Sequence, residues 1–574
     1  MINFNNITFK KSEIEYSFKQ DIVTEKISNI KNGVNHFKDY IIYKDKSNYK
    51  VYDRICDHNG GRLISKPDQK IICPLHGWQF DPKSGEYLNN KCKKSQLKSL
   101  VEKDLLKIKI NKKFPKFKKY KNNNSTKVTF LNHACLVVET ENLKFATDPW
   151  ILGPAFCRGW WLSKNSPENS FDELNSCDFI YISHNHPDHL HPLTLDKINK
   201  KMIMVTPNFK SNSTKNYLTS LGFENIVTLD FGNQYYSDKL KFNIAVLKSG
   251  DFRDDSGIYF SNGNFEGIFS VDSNFLNFFE LPKNITLLAS SFAGGASGYP
   301  LCFTKFPVKT KLQILSRNIN SIKFTNRKML QATKTKYFLP YAGFFTEAAK
   351  RDYFIKKNNI KNKINNYKMM CKKNNTYLLN VDTKQIYNFK GKNLKRSFNT
   401  KNKVYLDKKL ENYINEAKTK YSNINTKNIE KYFTQSKFKD DIILKVILTD
   451  DKFKNFYLCF LVDFSLDEPS ISFFSKKNEP SLEIINKEKN LNVLELKVRK
   501  EAFLEVIDDK LPWEDLLIGF QTRVSRIPDV YNANFWYFFT NVYVKKYATR
   551  RIEECSGCTV IKQKLDKEIQ YEQF

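Results

Sequence analysis

The segment 181-YISHNHPDHLH-191 places four histidines and an aspartate between His184 and His191, directly after the apolar run 178-DFIYIS-183. The run reads as a buried strand, so the loop leaves a strand end, where ligands from neighbouring connections converge. Imidazoles and a carboxylate at this spacing form a metal-binding set. His184 and His186 would hold one metal, while Asp188 and His189 would hold a second or complete the first. His191 is one residue more than the pattern uses and reads as a supporting or surface group. The chain has only eight histidines and none follows His191, so any later protein ligand is carboxylate, cysteine or backbone. Asp272, ending 268-IFSVDS-273, is the foremost candidate. Asp251, Asp254 and Asp255 in 250-GDFRDDSG-257 are weaker ones. His133, in 131-LNHAC-135, either lines the site or packs beside it.

This His-x-His-x-Asp-His loop resembles the metal loop of the metallo-β-lactamase fold, whose commonest chemistry is zinc-assisted hydrolysis, and Asp272 stands where that fold places its carboxylate ligand. Dinuclear hydrolases of that fold draw further histidines from later in the chain, and here there are none. Two or three histidines with carboxylate and open positions form instead the ligand set of oxygen-activating non-haem iron.

A second cluster points the same way. In 56-CDHNGGRLISKPDQKIICPLHGWQFD-81, Cys56-x-His58 is followed by Cys73-x-x-His76. Two thiolates for one iron and two imidazoles for the other are what a Rieske [2Fe–2S] centre needs. A Cys2His2 zinc site tends to group its cysteines before its histidines, whereas these are interleaved. A Rieske cluster moves one electron and makes no bonds, so it implies a second site that uses the electrons. The 184–191 loop is the credible acceptor, and an acceptor cannot be zinc.

With 574 residues and about 150 per domain, three or four domains are expected. Residues 1–112 read as an all-β Rieske domain of short strands and turns, and 113–127 as a Lys/Asn-rich linker. Residues 128–350 read as an αββα metallo-β-lactamase-like domain opening with 128-VTFLNH-133 and 135-CLVVET-140. Residues 351–400 read as a connector or surface excursion, and 401–574 as a C-terminal α+β module without a metal-ligand cluster. The fold class is thus multidomain α+β. The charge of +33, from 94 Lys+Arg against 61 Asp+Glu, is spread over nearly every loop. It reads mainly as compositional, with attraction to an anionic substrate or an acidic redox partner as the other source, and nucleic acid is not an expected partner. Eleven scattered cysteines make no disulfide framework and suit a reducing, cytoplasmic setting. Neither the N-terminus nor 535-FWYFFTNVYV-544 is a signal or a membrane span, so no membrane insertion is expected. The lone pair 555-CSGC-558 carries no assignment.

The two metal motifs occur together with 148-DPWILGPAFCRGWW-161, 290-SSFAGGASGYP-300, 340-PYAGFF-345 and 517-LIGFQTRVSRIPDVY-531. The combination resembles the CMP-N-acetylneuraminate hydroxylase family over almost the whole chain. The resemblance implies a monooxygenase converting the N-acetyl group of CMP-N-acetylneuraminate to N-glycolyl, with O2 as co-substrate. Electrons would come from NADH through a reductase and a donor such as cytochrome b5 or a ferredoxin. It implies Cys56, His58, Cys73 and His76 as cluster ligands and His184, His186, Asp188, His189 and Asp272 around the catalytic iron. It also leads one to expect a histidine within 250–257, which this chain lacks, so one iron or two both stay open. Arg158, Arg523 and Arg526 are candidates for substrate anion contacts, with His133 as a further lining residue. Gly294, Gly295 and Gly298 are candidates for close approach to phosphate or for plain turns, and Trp160 and Trp161 for stacking on cytosine or for core packing. The alternatives are an oxygenase for another nucleotide-activated or N-acylated sugar, and a lactonase-type hydrolase with a regulatory Rieske domain.

Overall fold

The computed structural model describes residues 2–4, 7–57, 60–65, 70–75, 77–88, 93–250, 254–400, 403–529 and 531–541. At its centre two large sheets face each other. One has nine strands, ordered Ile2–Phe4, Ile7–Glu13, Asn233–Ser237, Phe242–Lys248, Ser256–Asn262, Phe265–Phe269, Leu287–Ser291, Tyr337–Tyr341 and Tyr377–Leu378. The other has eight, ordered Asn225–Leu229, Ile203–Pro207, Phe179–Tyr181, Lys144–Thr147, Cys135–Glu139, Ser125–Asn132, Gln385–Lys390 and Asn393–Asn399.

Strand alternation explains the layering. Phe242, Ile244 and Val246 join the core between the sheets, while Ala245 and Leu247 join a second core beneath the helices outside. Across the sandwich, Leu136 and Val138 point inward, and Cys135 and Val137 pack under the opposite helical layer. Successive side chains of a strand point to opposite faces, so strands covered on both sides read as continuous apolar runs. Phe145 and Phe179 stack between the sheets with centroids 4.9 Å apart. The long helix Val308–Thr333 covers the nine-stranded sheet, giving the expected αββα sandwich.

Before the sandwich lie small antiparallel sheets built from Glu15–Lys26, Gly33–Asp53, the cysteine loops and Ser99–Lys116. After it comes a five-stranded sheet, ordered Ser470–Phe474, Phe456–Asp463, Ile442–Thr449, Asn492–Arg499 and Thr522–Ile527, with its own helices and core. No helix among the described residues is long and apolar enough to cross a membrane.

Three segments depart from the expected boundaries. Ile2–Phe4 pairs with Ile7–Glu13, which in turn pairs with Asn233–Ser237, so both strands belong to the sandwich and not to the cysteine-rich sheets. Residues 113–116 are the end of the strand Leu105–Lys116, so the linker is shorter than 113–127. Residues 385–399 are two sheet strands, not a surface excursion. There Gln385, Tyr387 and Phe389 are buried while Ile386, Asn388 and Lys390 are more exposed, a period-two pattern obscured by a polar residue on the inner face and an isoleucine on the outer one.

The C-terminal module is anchored by buried ion pairs. Arg499 donates to Asp352 at 2.7 Å with both side chains fully buried, and Arg158 forks onto Glu505. Gly159 lies so close to Gly519 that an added Cβ would meet the carbonyl oxygen at 2.1 Å.

Candidate metal centre

The loop His184–His191 follows the strand Phe179–Tyr181, at the edge where both sheets of the sandwich end. Asp148 follows Lys144–Thr147, His133 follows Ser125–Asn132, Asp255 precedes Ser256–Asn262 and Asp272 follows Phe265–Phe269. Residues scattered over the sequence therefore meet at one rim. The loop is closed by the backbone amides of His189 and Leu190 donating to the His186 carbonyl at 3.0 and 2.8 Å.

Two overlapping sets place their ligand atoms within 4.8 Å of one another: His133, Asp188 and His189, and His184, His189 and Asp272. His184 Nε2 lies 2.9 Å from His186 Nδ1. His189 Nε2 lies 3.3 Å from Asp188 and 3.4 Å from Asp272, and His189 Nδ1 lies 3.3 Å from Asp148. His133 Nε2 meets Asp188 Oδ2 at 3.1 Å. Burial opposes ionisation of Asp188, but His189 and His133 outweigh it and hold the carboxyl well below its usual range. Burial likewise disfavours the His189 cation, yet Asp188 and Asp272 push its pKa well up.

A metal fits this set. Both ring nitrogens of His189, Asp188 Oδ1 and Asp148 Oδ2 are buried without a hydrogen-bond partner. Buried polar atoms left so cost about 1–3 kcal/mol each, and a cation among them removes that cost. Backbone strain marks the same place. His133 (φ 42°), Asp148 (φ 40°) and Val271 (φ 51°), the residue before Asp272, all occupy the left-handed region. For a β-branched residue such as Val271 that conformation is a genuine outlier, held by the surrounding structure.

Each of the first two histidines has a carboxylate on its outer nitrogen. His184 Nδ1 faces Ser183 Oγ at 2.9 Å and Asp255 Oδ1 at 3.5 Å, and His186 Nε2 faces Glu514 Oε2 at 3.2 Å. Such partners fix the ring's tautomer and orientation for the nitrogen that binds metal. Glu514 belongs to the C-terminal module and was not among the residues singled out from sequence. In 513-WEDLL-517 it reads as an ordinary acidic first turn of a helix. Glu514→Gln should therefore weaken metal binding about 10–100-fold without unfolding the protein, measured by titrating iron(II) or cobalt(II) into metal-free protein.

Among the weaker candidates, Asp254 lines a small cavity with His184 and His186 and accepts from Ser211 Oγ, and Asp251 lies outside the described residues. His191 is buried, with Nδ1 capping the helix Pro192–Asp196 and Nε2 on the Pro154 carbonyl at 3.2 Å. Burial pushes its pKa down to about 4.

The expected substrate arginines are otherwise engaged. Arg158 is committed to Glu505, Arg523 to the carbonyls of Thr522 and Phe520, and Arg526 to Asp529 at 2.6 Å. Trp160 is a wall residue, stacked on Phe345 at 3.5 Å with its Nε1 donating to the Ile518 carbonyl. Trp161 packs its edge near Tyr413.

The two cysteine loops have matching backbones. Cys56 N donates to Gly61 O at 2.7 Å and Gly60 N to Cys56 O at 2.9 Å; Cys73 N donates to Trp78 O at 2.7 Å and Gly77 N to Cys73 O at 2.9 Å. Gly60 (φ 63°) and Gly77 (φ 79°) hold equivalent left-handed positions four residues after each cysteine. Both cysteines are buried in one cluster with Leu75, Trp78 and Tyr87. His58 and His76 lie outside the described residues, as does 555-CSGC-558. Two buried thiols at the heads of twinned loops suit one iron–sulfur cluster. An alanine Cβ at Gly61 would lie 2.8 Å from Cys73 Sγ. Gly61→Ala should thus cost about 1–3 kcal/mol of overpacking and lower the iron and acid-labile sulfide recovered with the protein.

The loops sit against the metal rim. Leu75 lines a cavity of about 120 Å³ together with His133, His186, Asp188 and Asp272. A Cβ on Gly60 would strike Phe275, three residues beyond Asp272. Asn318 of the long helix reaches the Leu75 carbonyl at 3.4 Å, and Ser321 Oγ accepts from the Arg62 amide at 3.0 Å.

Residues 20–108 match the Rieske [2Fe-2S] domain family, and residues 127–261 the beta-lactamase superfamily domain. The cytidine monophosphate-N-acetylneuraminic acid hydroxylase of Macaca mulatta is 29% identical over 553 residues, covering 89% of this chain and 92% of its own. That of Mus musculus is 28% identical over 554 residues, covering 89% and 94%. Among solved structures, CmlA, a diiron beta-hydroxylase from Streptomyces venezuelae, aligns over 48% of this chain and 55% of its own with 15% identity and a TM-score of 0.32. Over 89% of its length the chain is thus similar to the cytidine monophosphate-N-acetylneuraminic acid hydroxylases, and it joins a match to the Rieske [2Fe-2S] domain to a match to the beta-lactamase superfamily domain.

Proposed function

We propose that this chain is an iron-dependent monooxygenase that converts the N-acetyl group of CMP-N-acetylneuraminate to the N-glycolyl form. The observation that carries the reading is the shared cavity: Leu75 of the second cysteine loop faces the same space as Asp188 and Asp272. A hydrolase would have no use for that juxtaposition.

Cys56 and Cys73, with His58 and His76, would hold the [2Fe–2S] cluster. His184, His186, Asp188, His189 and Asp272 would hold the iron, one or two ions. When bound, the cluster supplies single electrons and the iron supplies the oxygen activation that an unactivated methyl requires.

The chain's own side chains do the rest. His133 holds Asp188, Ser183 and the nearby Asp255 hold His184, and Glu514 holds His186, so these contacts fix the orientation of the metal-binding groups. Phe156, Trp160, Phe345 and Ile322 wall the cavity and limit water beside the reacting carbon. At about 120 Å³ the cavity is smaller than the ~300 Å³ of pockets that enclose a whole small ligand, so it suits the acetamido end of a larger substrate. Gly294 and Gly295, both left-handed, bring bare backbone to the same wall, where the sugar would enter. NADH would feed the cluster through a reductase and a one-electron carrier.

The test is to supply reduced, iron-loaded protein with CMP-N-acetylneuraminate and follow product mass. A gain of one oxygen, only when O2 and reductant are both present, is expected. Turnover without either would defeat the reading.

A further inference from the structure

The wall between the metal cavity and solvent has two faces. On the helix Val308–Thr333, Asn318 and Ile322 line the inner cavity, whereas Arg317 and Arg327 line a groove of about 680 Å³ outside. The second cysteine loop is divided the same way: Leu75 faces the cavity and Pro74, directly after Cys73, faces the groove. Lys38, Arg62, Lys323 and Lys373 bring the groove's cations to six, and no carboxylate lines it among the described residues.

The chain's other lysines are commonly interleaved with acids, as in Lys10–Asp238, Lys127–Glu139 and Lys418–Asp451. By contrast, none of the six groove cations makes an ion pair among the described residues. The Nε atoms of Arg62 and Arg327 are buried without a hydrogen-bond partner. Both guanidinium groups crowd one ring, Phe324, at 5.5 and 5.3 Å from its centroid. Burial, and then Arg327, lower the Arg62 pKa, with Asp39 opposing them from outside the groove lining. Gathering like charges in a concave surface costs stability and focuses field on whatever docks there.

We propose that this groove is the docking surface for an acidic one-electron carrier protein that reduces the iron–sulfur cluster. The carrier loses one electron and the cluster gains one; no bond forms and no proton moves. Charge complementarity selects an acidic partner, and Pro74 places that partner directly against the loop that carries Cys73. A nucleotide sugar in the groove would be walled from Asp188 and Asp272 by the helix and the loop, so it could not present its methyl there. The proposal rests on the Rieske reading of the two loops and not on the identity of the sugar.

The test uses the full-length holoprotein with two acidic probes, a plant-type [2Fe–2S] ferredoxin and the soluble domain of cytochrome b5. Cluster reduction is followed by stopped flow at low and high salt, and carrier binding by titration calorimetry. Arg317→Glu/Lys323→Glu/Arg327→Glu should slow reduction at low salt by about tenfold or more, flatten its salt dependence and weaken binding. Lys38→Glu/Lys373→Glu changes only exposed residues and should act in the same direction if the triple variant fails to fold. Reduction by dithionite should be unchanged in all of them, and Lys476→Glu/Lys477→Glu, off the groove, should match the parent. Reduction rates unaffected by the groove variants, or no reduction of the parent by either carrier, would overturn the proposal. So would groove variants that raise the KM for CMP-N-acetylneuraminate, or lose binding of free CMP, while reduction stays normal; that outcome would make the groove a substrate site.

Discussion

Cys73→Ser should form no N-glycolyl product above background with an electron donor and O2, a loss of about 10³-fold or more, or about 4 kcal/mol in barrier height. The reason is geometric. Cys73 heads the loop whose Leu75 faces the metal cavity, so losing that thiolate removes the cluster at the point nearest the loop metals. The Cys73→Ser protein should still bind iron at the histidine loop, because His184 to His189 and Asp272 are carried by strand ends of the sandwich, whereas the cysteines are buried in a separate cluster with Trp78 and Tyr87. Iron content, sulfide content and product assay on one preparation check all three. Product formed at near-parental rate would show that the cluster is dispensable.

His189→Gln should be equally severe for a different reason. His189 belongs to both overlapping ligand sets and faces Asp148, Asp188 and Asp272 together. A glutamine cannot offer two ring nitrogens to that group of carboxylates. Loop iron should fall to background and hydroxylation by about 10³-fold or more, an expectation in line with the loss of a group that acts as part of a unit. The visible spectrum of the cysteine-bound cluster should be unchanged. Retention of loop iron with parental affinity would mean that His189 is an orienting residue and that the metal lies between His184 and His186.

Much of the site was legible because its signals are local. His184, His186, Asp188 and His189 lie in one loop, and Asp272 follows an apolar strand, so residue type and spacing brought all five forward. His133 could be read only as lining or packing, since its meaning comes from Asp188 across 55 residues of chain. Asp148 and Glu514 carry no local mark at all. Glu514 matters only because the five-stranded C-terminal module folds back onto the metal loop, a long-range contact that no pattern in 513-WEDLL-517 encodes.

The arginines stand differently. Arg158, Arg523 and Arg526 stand in segments that carry the family resemblance, but each guanidinium is used within the protein. In the fold, apolar strands such as Phe242–Lys248 declared themselves, while Gln385–Lys390 was masked by lysine and asparagine on its outward face. The N-terminal strands joined a distant sheet because strand pairing is set by complementary edges and not by nearness in sequence.

The central claim is that the cysteine loops and the histidine loop of one chain serve a single oxygenation. The most direct measurement is a single turnover: reduced holoprotein, freed of carrier, is mixed with CMP-N-acetylneuraminate and ¹⁸O2, and cluster oxidation and product mass are followed in the same quenched samples. The prediction is N-glycolyl product carrying one ¹⁸O, appearing in step with cluster oxidation at a rate independent of protein concentration. Product without label, or product formed while the cluster stays reduced, would contradict it.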